Sequence, residues 1–82
     1  MNEEHGGFEY SCWAKRLPNG AFTPMIAITK YYAIRKQTLK KLFFLDERYK
    51  TASEACQVAR NVAPKIINGS HPNLTVRDIG PL

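Results

Sequence analysis

Residues 8–30 read FEYSCWAKRLPNGAFTPMIAITK, and this stretch has the pattern of a β-hairpin. Apolar residues occupy every second position at its start, and this alternation predicts a strand over Phe8–Arg16. The segment LPNG at 17–20 is a turn signal, because proline presets φ and glycine supplies a positive φ. We therefore predict that the chain reverses at this turn and returns as a second strand.

The predicted return strand covers Ala21–Lys30, and Phe22, Ile26 and Ile28 lie on one of its faces. Pro24 falls inside this strand. Proline has no N–H to donate to a neighbouring strand, so its presence predicts either an edge strand or a bulge.

Residues 31–45 are open to two interpretations. Their aromatic and β-branched content favours two strands joined by a turn near Gln37 and Thr38. The segment Leu42–Leu45 is apolar on both strand faces, which predicts a short, fully buried strand. The alternative is a helix over Ala33–Phe43, whose apolar residues fit helical spacing only loosely. We predict the two strands.

The sequence TASE at 51–54 marks the start of a helix within two residues of Ala52. It is a capping box: the Thr51 hydroxyl can accept from the Glu54 N–H, and the Glu54 carboxylate can reach back to the Thr51 N–H.

Small and aliphatic residues then follow at helical spacing and predict one apolar stripe. The stripe consists of Ala52, Ala55, Cys56, Ala59, Val62, Ala63 and Ile66. Pro64 predicts a kink or an early end, and Asn68-Gly69 predicts the C-terminal stop.

The 82 residues allow one domain. We predict a flexible N-terminus at 1–7, a single α+β domain at 8–69 and an irregular tail at 70–82. In that domain, antiparallel hairpins fill the N-terminal two-thirds and one helix follows. Three apolar residues are expected to pin the tail to the domain: Leu74, Val76 and Ile79.

The net charge is +5, and no acidic residue occurs between Tyr10 and Leu45. Such a stretch attracts anionic partners, although lysines on edge strands also serve to block aggregation. Trp13 lies opposite the apolar side of its strand, so it is either core or an exposed contact anchor. The predicted binding surface comprises Trp13, Lys15, Arg16, Lys30, Tyr31, Tyr32, Arg35, Lys36, Lys40 and Lys41.

The chain lacks the patterns of known catalytic and metal sites. The candidate metal ligands are His5, His71, Cys12 and Cys56, and no two of them have the spacing of a metal-binding pair. Both cysteines are expected as free thiols. Phosphate-binding loops are absent, and Gly6-Gly7 is interpreted as a flexible start. We therefore predict a cytoplasmic protein without enzymatic activity, catalytic residues, cofactor, metal, small-molecule substrate or membrane association.

The segment Phe43–Ala59, a strand and then a capped helix after a Pro-Asn-Gly hairpin, resembles the arm-type DNA-binding domains of phage integrases. The resemblance implies a three-stranded sheet against one helix, with DNA bound through the sheet. The chain departs from that pattern by an additional strand and a long tail.

As a whole, the chain resembles small uncharacterised α+β proteins of proteobacterial prophages, and this resemblance implies an accessory role such as virion or tail assembly. The function predicted is a non-catalytic protein–protein interaction or assembly factor. The alternative is a DNA- or RNA-binding module that uses the basic sheet surface. The sequence predicts neither the partner's identity nor the oligomeric state.

Overall fold

A computed structural model of the chain describes residues 3–32, 36–72 and 74–76. These residues form four strands and one helix, namely β1 (Glu3–His5), β2 (Phe8–Arg16), β3 (Phe22–Tyr32), β4 (Gln37–Phe44) and α1 (Ala52–Ile67). The strands pair antiparallel in the order β1-β2-β3-β4. The predicted α+β class, a sheet followed by one C-terminal helix, is confirmed.

The hairpin between β2 and β3 turns at the predicted segment. Gly20 N–H donates to the Leu17 carbonyl at 2.9 Å, and Leu17 N–H donates to the Ala21 carbonyl at 2.8 Å. Gly20 has a φ of 87°, a value that glycine adopts without a steric penalty. The turn chemistry visible in the sequence therefore sets the register of the two longest strands.

The N-terminal residues 3–7 belong to the sheet, which corrects the prediction of a flexible N-terminus. β1 pairs with the start of β2, with His5 opposite Phe8. Gly6 and Gly7 form the two-residue turn between them, with φ values of 58° and 85°. Paired positive φ angles suit the twist of a tight hairpin, so these glycines are a turn and not a flexible start.

Pro24 lies in a strand that is interior in the sheet order, and its pairing with β2 continues without a bulge. The pairing with β4 begins only at Met25, so Pro24 lies just past the end of that ladder. The expectation of an edge strand is therefore wrong, and no bulge interrupts the β2–β3 pairing at Pro24. The Pro24 carbonyl accepts from Leu45 N–H at 3.1 Å, just past the end of β4. The Leu45 carbonyl, which lacks a donor from proline, accepts instead from the Thr23 hydroxyl at 2.6 Å. A neighbouring side chain thus replaces the missing backbone donor.

The second hairpin turns earlier than predicted. Tyr32 still belongs to β3, and Gln37 and Thr38 are the first residues of β4 rather than a turn. Lys36 precedes them in a turn with a φ of 51°. The continuous pairing of β4 with β3 excludes the alternative helix.

The helix begins at Ala52 as predicted. The Thr51 hydroxyl accepts from Glu54 N–H at 3.1 Å and donates to the Glu54 carboxylate at 3.0 Å. The carboxylate therefore binds the Thr51 hydroxyl, where we expected it to reach the Thr51 N–H.

Replacing Thr51 with alanine is expected to lower the free energy of unfolding by about 1 kcal/mol, because Glu54 N–H loses its acceptor. Urea denaturation followed by circular dichroism measures the change. Ser53→Ala, at an exposed position in the same turn, is the control and should stay within about 0.5 kcal/mol of the wild type. Equal losses in both variants would contradict a stabilising cap.

The apolar stripe of α1 packs on β2 and β3. Its fully buried members are Ala55, Ala59, Ala63 and Ile66. Ala52 is exposed, so the stripe begins one turn later than predicted. Small side chains along this stripe let the helix axis approach the sheet closely.

Pro64 does not end the helix, so the predicted early end is wrong. The helix continues to Ile67, and Pro64 removes one internal hydrogen bond, the bond to the Arg60 carbonyl. The predicted stop is confirmed: Gly69 has a φ of 83°, and Ser70 N–H donates to the Lys65 carbonyl at 2.8 Å.

The tail contributes to the core beyond the predicted domain end at residue 69. Val76 is 5% exposed, and Leu74 packs against the same core. The third predicted anchor, Ile79, lies outside the described residues. The core cluster consists of Phe8, Tyr10, Ile26, Ile28, Phe43, Ala59, Ala63, Ile66 and Val76.

Candidate functional site

The helix covers only one face of the sheet. Phe8, Ile26 and Phe43 contribute to the core from three neighbouring strands. Side chains alternate along a strand, so residues of the opposite parity point away from α1. We call this side the open face; across β2, β3 and β4 it carries Glu9, Ser11, Trp13, Lys15, Thr23, Met25, Ala27, Thr29, Tyr31, Thr38, Lys40, Leu42 and Phe44.

The open face holds the large hydrophobic side chains that are exposed in the described part of the chain. Phe44 is 70% exposed, Tyr31 60%, Leu42 58% and Trp13 38%. These values correct the prediction that Leu42–Leu45 is a fully buried strand, because only its alternate residues point to the core. Trp13 is exposed, which excludes the interpretation that it belongs to the core.

The pairing register arranges the apolar residues in two adjacent rows that cross the three strands. One row is Trp13, Met25 and Phe44, and the next is Ser11, Ala27 and Leu42. Ala27 is 3% exposed, although α1, the helix of the described residues, lies on the other face. We call these two rows the apolar band.

Charged residues flank the apolar band at both ends. The row beyond Ser11 is Glu9, Thr29 and Lys40, which places an acid on β2 and a base on β4. At the other end Lys15 lies beside Phe44 in a surface depression. The open face is thus apolar in its centre and carries both signs of charge at its margins.

The predicted basic surface divides between the two faces of the sheet. Its members on the open face are Trp13, Lys15, Tyr31 and Lys40. Arg16, Lys30, Tyr32 and Lys41 have the parity of the helix-covered face. Lys36 lies in the turn before β4, and Arg35 lies outside the described residues. The six cations that the structure describes therefore do not form one patch.

Two lysines on the helix side have structural roles. Lys30 Nζ donates to the Gly7 carbonyl at 3.2 Å, and Lys41 Nζ donates to the Thr75 carbonyl at 3.3 Å. Each ammonium also lies over a phenylalanine ring, 4.8 and 5.3 Å from the centroids. These lysines tie the first hairpin and the tail to the sheet.

The cysteines are free thiols in the part of the chain that the structure describes. Cys56 Sγ lies 3.8 Å from the Cys12 carbonyl. Burial raises the pKa of the Cys12 thiol to about 11, which keeps it protonated near neutral pH and makes it a poor nucleophile. No group of three metal-ligating side chains occurs among the described residues.

No protein-family model, curated protein or solved structure matches the chain. Among the described residues, no helix is long and apolar enough to cross a membrane.

Sequence reasoning missed Met25, Leu42 and Phe44 as parts of this site. The sequence shows that Leu42 and Phe44 lie on the same face of a strand. Only the β3–β4 register shows that this face is the open face, because it places Phe44 in the same row as Trp13.

Proposed function

We propose that this protein is a non-catalytic protein–protein interaction or assembly factor, and that the open face is its binding surface. The observation that carries the proposal is the exposure of Trp13, Tyr31, Leu42 and Phe44 on one uncovered sheet face. Large apolar groups gathered on one surface typically mark a site of contact with another molecule.

The composition of this face suits a protein partner. Aromatic residues and methionine are enriched at protein interfaces, and Trp13, Met25 and Phe44 lie side by side in one row. Removing such a row from water is the main favourable term in most protein association. A narrower role in assembling a phage virion or tail is part of this proposal and rests on the whole-chain resemblance.

Nucleic-acid binding is the second candidate. Trp13 and Tyr31 are exposed on the face that also carries Lys15 and Lys40, and aromatic rings with cations can hold single strands. The division of the cations between two faces favours the protein partner, because charge for phosphates is not concentrated beside the rings.

Replacing Phe44 with aspartate is expected to weaken partner binding at least about tenfold, because exposed aromatic anchors dominate interface energies. The free energy of unfolding should stay within about 0.5 kcal/mol of the wild type, since Phe44 is 70% exposed. The measurement compares the proteins that immobilised wild type and variant retain from an extract of the source cells. Gln57→Asp, at an exposed position on α1, is the control and should behave like the wild type.

Identical retention by wild type and the Phe44 variant would contradict the proposed binding surface. Titration with single-stranded and duplex oligonucleotides near physiological salt completes the test. Submicromolar affinity that the Phe44 variant loses would favour the nucleic-acid candidate instead.

A further inference from the structure

The open face is self-complementary. Each of its central rows runs from β2 through β3 to β4, with different chemistry at the two ends. Trp13 stands at one end of its row and Phe44 at the other. Glu9 stands at one end of its row and Lys40 at the other.

A twofold axis parallel to β3, between two stacked sheets, places β2 of one copy over β4 of the other. In that arrangement each row faces the same row in reverse order. Trp13 then lies over Phe44 of the second copy, and Glu9 lies over its Lys40. Both contacts occur twice, as in every isologous interface.

We propose that the occupant of the open face is a second copy of this chain, packed face to face about this axis. The inference rests on the proposed function and names its partner. Two sheets stacked this way keep their strand directions aligned, which is the common packing of β-sandwiches, about 10 Å apart.

The residues of β3 on the open face agree with this axis. Met25, Ala27 and Thr29 would each lie near their own copies. None of them is charged, so the axis brings no like charges together. The aromatic contacts on both sides of Met25 would exclude water from the centre of the interface.

The mixed charge of the face argues against a partner of one sign. Glu4 and Glu9 are paired neighbours on β1 and β2, while Lys15 and Lys40 lie elsewhere on the same face. A nucleic acid would bring phosphates against Glu4 and Glu9. In the proposed dimer, by contrast, Glu9 lies opposite Lys40 of the second copy.

The size of the face sets the strength to expect. Three strands of this length cover roughly 500 Å² in projection, below the roughly 800 Å² per partner of a standard interface. We therefore expect a dissociation constant in the micromolar range and a dimer that dissociates on dilution.

Sedimentation equilibrium of the full chain from about 5 to 500 µM tests the inference. The wild-type mass should rise from 9.3 kDa towards twice that value. Glu9→Lys and Lys40→Glu should each raise the dissociation constant at least about tenfold, because each brings like charges together twice. An equimolar mixture of these two variants should restore the dimer. In the mixed dimer, each introduced charge faces a residue of opposite charge on the other variant.

Lys65→Glu is the control. It reverses an exposed lysine on α1, outside the open face, so the variant should dimerise like the wild type. Its mixture with Glu9→Lys should contain no more dimer than the two variants do separately. Circular dichroism of all variants, whose changed residues are exposed, establishes that they are folded.

A wild-type mass that stays at the monomer value across this range would overturn the inference. So would a mixture of Glu9→Lys and Lys40→Glu that remains monomeric. Neither result affects the proposed function, which fails only if Phe44→Asp retains the same partners as the wild type.

Discussion

Replacing Ile26 with alanine is expected to lower the free energy of unfolding by about 2–5 kcal/mol. Ile26 is fully buried at the centre of the sheet, between Cys12 on β2 and Phe43 on β4. Truncation removes apolar contacts and leaves a cavity under α1 that the rigid sheet cannot close. Small domains have total stabilities at the low end of about 5–15 kcal/mol, so this variant should be partly unfolded at 37 °C.

Urea denaturation followed by tryptophan fluorescence measures the loss. Ile26→Val keeps the variant folded and should lose about 0.5–1.5 kcal/mol. Met25→Ala is the matched control, because the neighbouring side chain points to the open face. Its loss should be clearly smaller than that of Ile26→Ala, and equal losses would mean that both faces of the sheet are covered.

Enlarging Ala59 to leucine is expected to cost about 1–3 kcal/mol, because the added atoms have no space between α1 and the sheet. Ala59 is fully buried on the stripe that packs against β2 and β3. The helix would have to move away from the sheet, and the contacts of Ala55 and Ala63 would loosen with it.

Ala52→Leu is the control for this substitution, since it makes the same change on the same helix at an exposed position. It should alter the free energy of unfolding by less than about 0.5 kcal/mol. Denaturant melts of both variants compare the two positions directly. A neutral Ala59→Leu would show that the stripe is not in close contact with the sheet.

The described part of the chain forms four strands and one helix, and this helix leaves one face of the sheet uncovered. α1 reaches β2 and β3, while the tail packs Val76 into the core on the same side. No element of the described chain remains to cover the other face. Phe44 and Leu42 are therefore exposed because they lie on a face that no described element covers.

Local signals in the sequence were sufficient for several elements. The Thr51 cap, the turn at 17–20 and the stop at Gly69 were predicted correctly, because each depends on hydrogen bonds and φ angles within a few residues. Burial of Ala59 was also predicted, since the helical stripe is a short-range pattern.

The errors arose where a residue's role depends on a strand distant in sequence. Pro24 is accepted in an interior strand because Thr23 supplies a hydroxyl to Leu45, a pairing across 22 positions. The segment Leu42–Leu45 was predicted as fully buried because apolar residues on both parities of β4 concealed which of them face the core.

By itself, the sequence determined the α+β class, the β2–β3 hairpin and the residue at which the helix starts, through turn chemistry, capping and periodicity. Only the tertiary structure decided which face of the sheet the helix covers. That choice depends on the register of three strands and on the packing of α1, both of which are non-local. For this reason Trp13 remained ambiguous in the sequence, and its row with Met25 and Phe44 appeared only in the folded sheet.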